Sequence, residues 1–124
     1  MVMAMTVMLL LLVAFLAAAG RPVSPVGTYT CRGTQNGVPY GLWLVVTALG
    51  QGFDFVWSVH EQSAPIVLGV AVPDGDHLAV ALISRNGGVG AGHYVVSPGR
   101  LDGHWTRGDG SIDMESCVVK GKAA

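Results

Sequence analysis

Gly92-His93-Tyr94-Val95-Val96-Ser97-Pro98-Gly99-Arg100-Leu101-Asp102-Gly103-His104-Trp105-Thr106-Arg107-Gly108-Asp109-Gly110-Ser111 is the stretch that decides the fold. Pro98-Gly99 presets the central torsions of a tight turn, so the chain doubles back between Ser97 and Arg100. Counting along both arms then sets Val96 opposite Leu101, Tyr94 opposite Gly103 and His93 opposite His104. Tyr94, Val96, Leu101 and Trp105 fall on one face, which is apolar, while the other face is polar. That is the pattern of a half-buried antiparallel hairpin.

The same rhythm extends outward in both directions. Eight period-two runs, Thr28–Arg32, Tyr40–Leu49, Phe53–Glu61, Ile66–Val72, His77–Ser84, Val89–Ser97, Arg100–Arg107 and Ile112–Val119, are separated by turn signals such as Asn36-Gly37, Gly50-Gln51, Asp74-Gly75, Asn86-Gly87-Gly88 and Asp109-Gly110. No stretch from Gly27 onward carries apolar residues at helical spacing over ten residues. Connections this short favour nearest-neighbour antiparallel pairing. The expected fold is all-β, an eight-stranded antiparallel up-and-down barrel preceded by an N-terminal signal helix, with a two-sheet sandwich as the alternative.

Registers follow from the turns. A turn at Gly50-Gln51 sets Val46 against Phe55 and Leu44 against Trp57, with Leu42, Phe53 and Val59 on the same inner face. A three-residue loop at Asn86-Gly87-Gly88 sets Leu78, Val80 and Leu82 against Val96, Tyr94 and Gly92. A turn at Asp109-Gly110 sets Trp105 against Met114 and Leu101 against Val118.

Length and composition bound the remaining possibilities. The 124 residues suffice for one small domain. Residues 1–19 carry no charge and end in Ala17-Ala18-Ala19-Gly20, a small-x-small site, and so read as a secretory signal peptide; an uncleaved membrane anchor is the other reading. Residues 20–26, with Pro22 and Pro25, form an extended leader; residues 27–120 form the barrel and 121–124 a tail. Seven basic residues against eight acidic ones, with no basic patch, argue against a nucleic-acid partner. Export permits Cys31 and Cys117 to form a disulfide, which would close a loop of about 85 residues and clamp the first strand to the last.

Three constellations are candidates for chemistry. Trp57, Tyr94, Trp105 and Tyr40 are candidate ligand-facing residues at a barrel mouth. His93, His104 and Glu115 fall in one transverse row on the polar face, a candidate metal site, with His60 and His77 isolated from it. Trp43, on the outer face beside Val45 and across from Val56, offers an apolar contact for another protein or a second copy. No serine occupies a Gly-x-Ser-x-Gly elbow, no cofactor motif is present, and the expectation is a non-enzyme.

The series Gly27-Thr28-Tyr29-Thr30-Cys31-Arg32-Gly33, Phe53-Asp54-Phe55-Val56-Trp57, Gly92-His93-Tyr94-Val95-Val96 and Gly99-Arg100-Leu101-Asp102-Gly103-His104-Trp105 resembles small exported bacterial proteins with calycin-like barrels, similar to avidin and lipocalins. The resemblance implies a secreted or periplasmic binding protein for a small ligand or an extracellular protein. Tyr29-Thr30-Cys31, Trp105-Thr106-Arg107-Gly108-Asp109 and Cys117 also resemble periplasmic lysozyme inhibitors. That second likeness implies inhibition through Gly87–Tyr94, where Gly90-Ala91-Gly92-His93-Tyr94 stands in the place of a Ser-Gly-x-x-Tyr loop.

Overall fold

The computed structural model describes residues 22–121. The expected signal segment, residues 1–19, and the tail beyond Gly121 lie outside that range. Within it, eight strands run in sequence: β1 Gly27–Gln35, β2 Val38–Leu49, β3 Gly52–Ser58, β4 Pro65–Asp74, β5 His77–Ser84, β6 Val89–Ser97, β7 Arg100–Arg107 and β8 Ile112–Val119. Each pairs antiparallel with its neighbours, and β8 returns to β1 to close a barrel. Closure leaves no sheet edge unpaired, the physical reason for preferring it to an open meander of eight strands.

The central hairpin adopts the register its turn dictates, with Val96 opposite Leu101, Tyr94 opposite Gly103 and His93 opposite His104. Gly99 has φ 72°, which an L side chain rarely adopts, so the Pro-Gly order is required there. The Gly50-Gln51 turn likewise sets Leu44 against Trp57 and Val46 against Phe55. At the seam, Cys31 faces Cys117 and the two are joined by a disulfide.

Two other registers differ from expectation. The three-residue loop between β5 and β6 is Arg85-Asn86-Gly87, one position earlier than Asn86-Gly87-Gly88, and the Ser84 N–H donates to Gly88 O at 2.7 Å. Asn86 Oδ1 accepts from the Gly88 N–H, which anchors the earlier loop. Leu78, Val80 and Leu82 therefore face Tyr94, Gly92 and Gly90, a shift of two residues that keeps every side chain on its expected face.

The shift at β7–β8 is of one residue, and it reverses a whole strand. The turn spans Gly108-Asp109-Gly110, with Arg107 N–H donating to Ser111 O and Asp109 Oδ1 accepting from the Ser111 N–H and hydroxyl. Trp105 consequently faces Asp113 and Leu101 faces Cys117. Asp113, Glu115 and Cys117 point inward; Met114 points out and is 61% exposed.

The packed core occupies the end of the barrel that holds the β2–β3, β4–β5 and β6–β7 turns. Tyr29, Leu44, Val46, Phe55, Leu78, Val96, Leu101 and the disulfide are buried there. Pro25 of the leader is buried too, and its carbonyl accepts from the Tyr29 hydroxyl at 2.7 Å. Val59, expected inside, follows the end of β3 and is 48% exposed. β3 gives out at Ser58, where a bulge shifts its pairing with β4 and ends the alternation.

Outside, Val45, Val56, Leu68, Ile83 and Val89 form one transverse row across five strands. Trp43 is half-buried, with Lys120 Nζ 5.4 Å from its ring centroid. The outer apolar surface is therefore centred on β3–β5 rather than on Trp43.

Candidate functional site: a cavity built around Glu115

At the opposite end of the barrel the interior is not filled. A cavity of about 670 Å³ opens there, walled by residues including Tyr40, Trp57, Leu82, Tyr94, Trp105 and Glu115. That volume lies within the range of pockets that hold small organic ligands. All four aromatic residues singled out from sequence line this one cavity. Phe55, in the packed core, backs two of them, with its ring centroid 5.4 Å from that of Trp57 and 6.0 Å from that of Tyr94.

Glu115 organises the wall, and the strand registers explain how. Its two neighbours on the barrel wall are glycines, Gly33 on β1 and Gly103 on β7. Beyond each glycine stands a tyrosine, Tyr40 on β2 opposite Gly33 and Tyr94 on β6 opposite Gly103. With no side chain in between, each tyrosine reaches across its glycine to the same carboxylate. Tyr94 Oη donates to Glu115 Oε1 at 3.1 Å, and Tyr40 Oη donates to Oε2. Trp57 Nε1, from β3, also donates to Oε1, at 3.1 Å.

The electrostatics of this cluster follow from burial. Glu115 is 4% exposed, and desolvation pushes its carboxyl above the ordinary range, against the opposing pull of hydrogen bonds from Tyr40, Trp57 and Tyr94. Both tyrosine hydroxyls are pushed far up, first by burial and then by the adjacent Glu115 charge, so they remain donors. Three donors converge on one carboxylate, and no Lys, Arg or His pairs with it among the described residues.

Three further buried polar atoms stand near the cavity mouth without a hydrogen-bond partner: Trp105 Nε1, Arg107 Nε and Asp113 Oδ2. The Trp105 N–H is close enough to the Tyr40 hydroxyl to influence it, but it does not meet it in hydrogen-bond geometry. Arg107 approaches Asp113 at 3.7 Å, lies 5.8 Å from the Trp105 ring centroid, and donates to Asn36 and Ser111.

The expected metal row does not exist. His93 and His104 face each other on the outer surface, whereas Glu115 lies opposite Gly103 on the inner one. The one-residue difference at the β7–β8 turn is the cause, since it turns Glu115 through the sheet. His77, expected to be isolated, has Nδ1 3.0 Å from His93 Nε2 and Nε2 3.2 Å from Asp76. The cysteine sulfurs come within 4.8 Å of the Glu115 carboxylate, but both are held in the disulfide and offer no thiolate to a metal. Gly90–Tyr94, compared above with an inhibitory loop, is the middle of strand β6, and Tyr94 is buried against Glu115.

Neither Glu115 as an inner anchor nor the two spacer glycines was recognised from sequence. The available signal was Cys117. Its bond to inward-facing Cys31 requires Cys117 to face inward, and Glu115, two residues earlier, must then do the same.

No protein family matches this chain, and a comparison with curated proteins finds no match. Among solved structures, a redesigned β-barrel, mFAP1, determined bound to DFHBI, is similar with a TM-score of 0.64 at 20% sequence identity, covering 75% of this chain and 93% of that one. At that identity the likeness is one of fold, and by fold this chain is a closed eight-stranded antiparallel barrel.

Proposed function

We propose that this chain is a non-enzymatic binding protein that holds a small, largely apolar ligand in the open half of its barrel. The observation that carries this reading is the asymmetry of the interior. One end is packed with buried apolar side chains, and the other keeps a cavity of about 670 Å³ lined by aromatic rings. Small barrels use their interior either for packing or for one ligand, and this one divides it between the two. Tyr40, Trp57 and Tyr94 are locked as donors to Glu115, an arrangement suited to recognition rather than turnover. The similar barrel mFAP1 is bound to DFHBI in its structure, which fits the same use of the fold. The disulfide and the uncharged apolar run over residues 1–19 support a secreted or periplasmic location.

The test is binding of a neutral fluorescent probe, N-phenyl-1-naphthylamine, to the oxidised protein. Saturable fluorescence enhancement is expected. Leu82→Trp, which places a larger side chain in the cavity wall, is expected to weaken the probe by at least roughly tenfold, about 1.4 kcal/mol, at unchanged melting temperature. Equal binding by wild type and Leu82→Trp, or no enhancement at all, would remove the reading.

A further inference from the structure

Resting on the reading of the cavity as a ligand site, we infer that its ligand carries a protonated amine, received by Glu115 inside the cage of Tyr40, Trp57, Tyr94 and Trp105. Three features of the wall point to a cation. First, Glu115 has no positive partner: its three hydrogen bonds all come from neutral donors, and none of the ion pairs among the described residues involves it. An ionised carboxylate in so buried a place lacks a counter-charge, and a ligand ammonium supplies one.

Second, the carboxylate has room for one more donor. A carboxylate offers about four acceptor positions. Oε1 takes Trp57 and Tyr94, while Oε2 takes Tyr40 alone. Cys117 Sγ also lies 3.3 Å from Oε1, but as a disulfide sulfur it has no proton to donate. One position on Oε2 is left for an N–H of a ligand.

Third, the surrounding groups suit a cation with an aromatic or aliphatic body. Four aromatic side chains line the same cavity, and ring faces attract ammonium groups. Arg107 at the mouth does not oppose this, because Asp113 offsets its charge and its terminal nitrogen is engaged by Asn36 and Ser111. Trp105 Nε1, buried with no partner, is free to donate to an oxygen on the ligand body.

The competing chemistry is an acidic ligand drawn by Arg85 and Arg107 at the rim. It would meet the carboxylate of Glu115 at depth, and like charges at that range repel. An amine and an acid therefore give opposite orders of affinity, so one experiment separates them.

The experiment is displacement of N-phenyl-1-naphthylamine from the oxidised protein by three probes of matched body: 2-phenylethylamine, 2-phenylethanol and 3-phenylpropionate. The amine is expected to compete at a concentration at least roughly tenfold lower than the alcohol, with the carboxylate weakest. In Glu115→Gln that gap is expected to close. A second measurement needs no variant: in wild type the gap is expected to shrink as pH is lowered and Glu115 takes up a proton, because the amine stays charged. The other ionisable groups lining the cavity are Tyr40, Arg85, Tyr94 and Arg107, with Asp113 3.7 Å from Arg107 behind it. Both tyrosines are pushed upward and do not titrate in acid. Persistence of the pH effect in Glu115→Gln would place it on a group other than Glu115 and overturn the assignment.

Displacement by the alcohol or the acid at least as readily as by the amine would overturn the amine and leave the cavity as a binding site. An amine preference that survives both in Glu115→Gln and at low pH would also overturn the role of Glu115. Failure of the fluorescent probe itself to bind would remove both readings together.

Discussion

Loss of the Cys31–Cys117 disulfide is expected to lower the free energy of unfolding by about 4 kcal/mol. The two cysteines are 86 positions apart in sequence, so the bond restricts nearly the whole unfolded chain, and loop-closure entropy grows with that length. In the folded barrel the same bond joins β1 to β8 at the seam where the first strand meets the last. Both residues are buried, at 1% and 0% exposure, so removing them also leaves a small void. For a domain of this size about 4 kcal/mol is a large part of the total stability. Urea unfolding of the oxidised protein beside a Cys31→Ala, Cys117→Ala variant measures the difference. A loss under about 1 kcal/mol would mean that strand pairing and packing alone hold the seam.

Gly103→Ala is expected to destabilise the protein by about 3 kcal/mol, a large effect for one methyl group. A Cβ at position 103 would collide with the ring of Tyr94 and stand 2.6 Å from the His93 carbonyl oxygen. Tyr94 is 1% exposed and has no room to retreat without giving up its hydrogen bond to Glu115. Overpacking a core costs about 1–3 kcal/mol, and a buried hydrogen bond to a charged group contributes about 1.5–3 kcal/mol. Gly33→Ala meets the same obstacle on the other side of Glu115, where the Tyr40 hydroxyl lies 2.6 Å from the added atom. Gly41→Ala is the control. Its Cβ would approach nothing nearer than the Cys31 carbonyl oxygen at 3.9 Å, and its effect is expected within about 0.5 kcal/mol of zero. Thermal or urea unfolding of the three variants decides the matter, and equal stability of Gly103→Ala and Gly41→Ala would sink the account of the spacer glycines.

The contrast between those glycines shows what was legible in the sequence. Where a turn has strong local chemistry, as at Pro98-Gly99 and Gly50-Gln51, the register follows from residue identity, and the structure has that register. Where Gly and Asp residues crowd together, as over Arg107–Ser111, the turn can close at more than one position. There the Asp109 side chain, accepting from both the Ser111 N–H and its hydroxyl, selects a three-residue loop. One residue of difference moved Asp113, Glu115 and Cys117 from the outer face to the inner one. Trp57, Tyr94 and Trp105 lie on the inner face because strand alternation counted from the Gly50-Gln51 and Pro98-Gly99 turns puts them there, whereas a carboxylate is biased toward the outside. Glu115 is tolerated inside because three donors from three other strands converge on it, and that convergence depends on closure of the barrel, which local patterning does not encode.

The three indole N–H signals of this protein report directly on whether the open end of the barrel is a binding cavity organised around Glu115. Trp57 donates to Glu115 inside the cavity, the Trp105 N–H is buried at its mouth without a partner, and Trp43 lies on the outside against Lys120. In a proton–nitrogen NMR titration with 2-phenylethylamine, the Trp57 and Trp105 signals are expected to shift together along one saturable curve while Trp43 stays fixed. Movement of Trp43 alone, or no movement of Trp57 and Trp105 with the amine or with 2-phenylethanol, would contradict the claim.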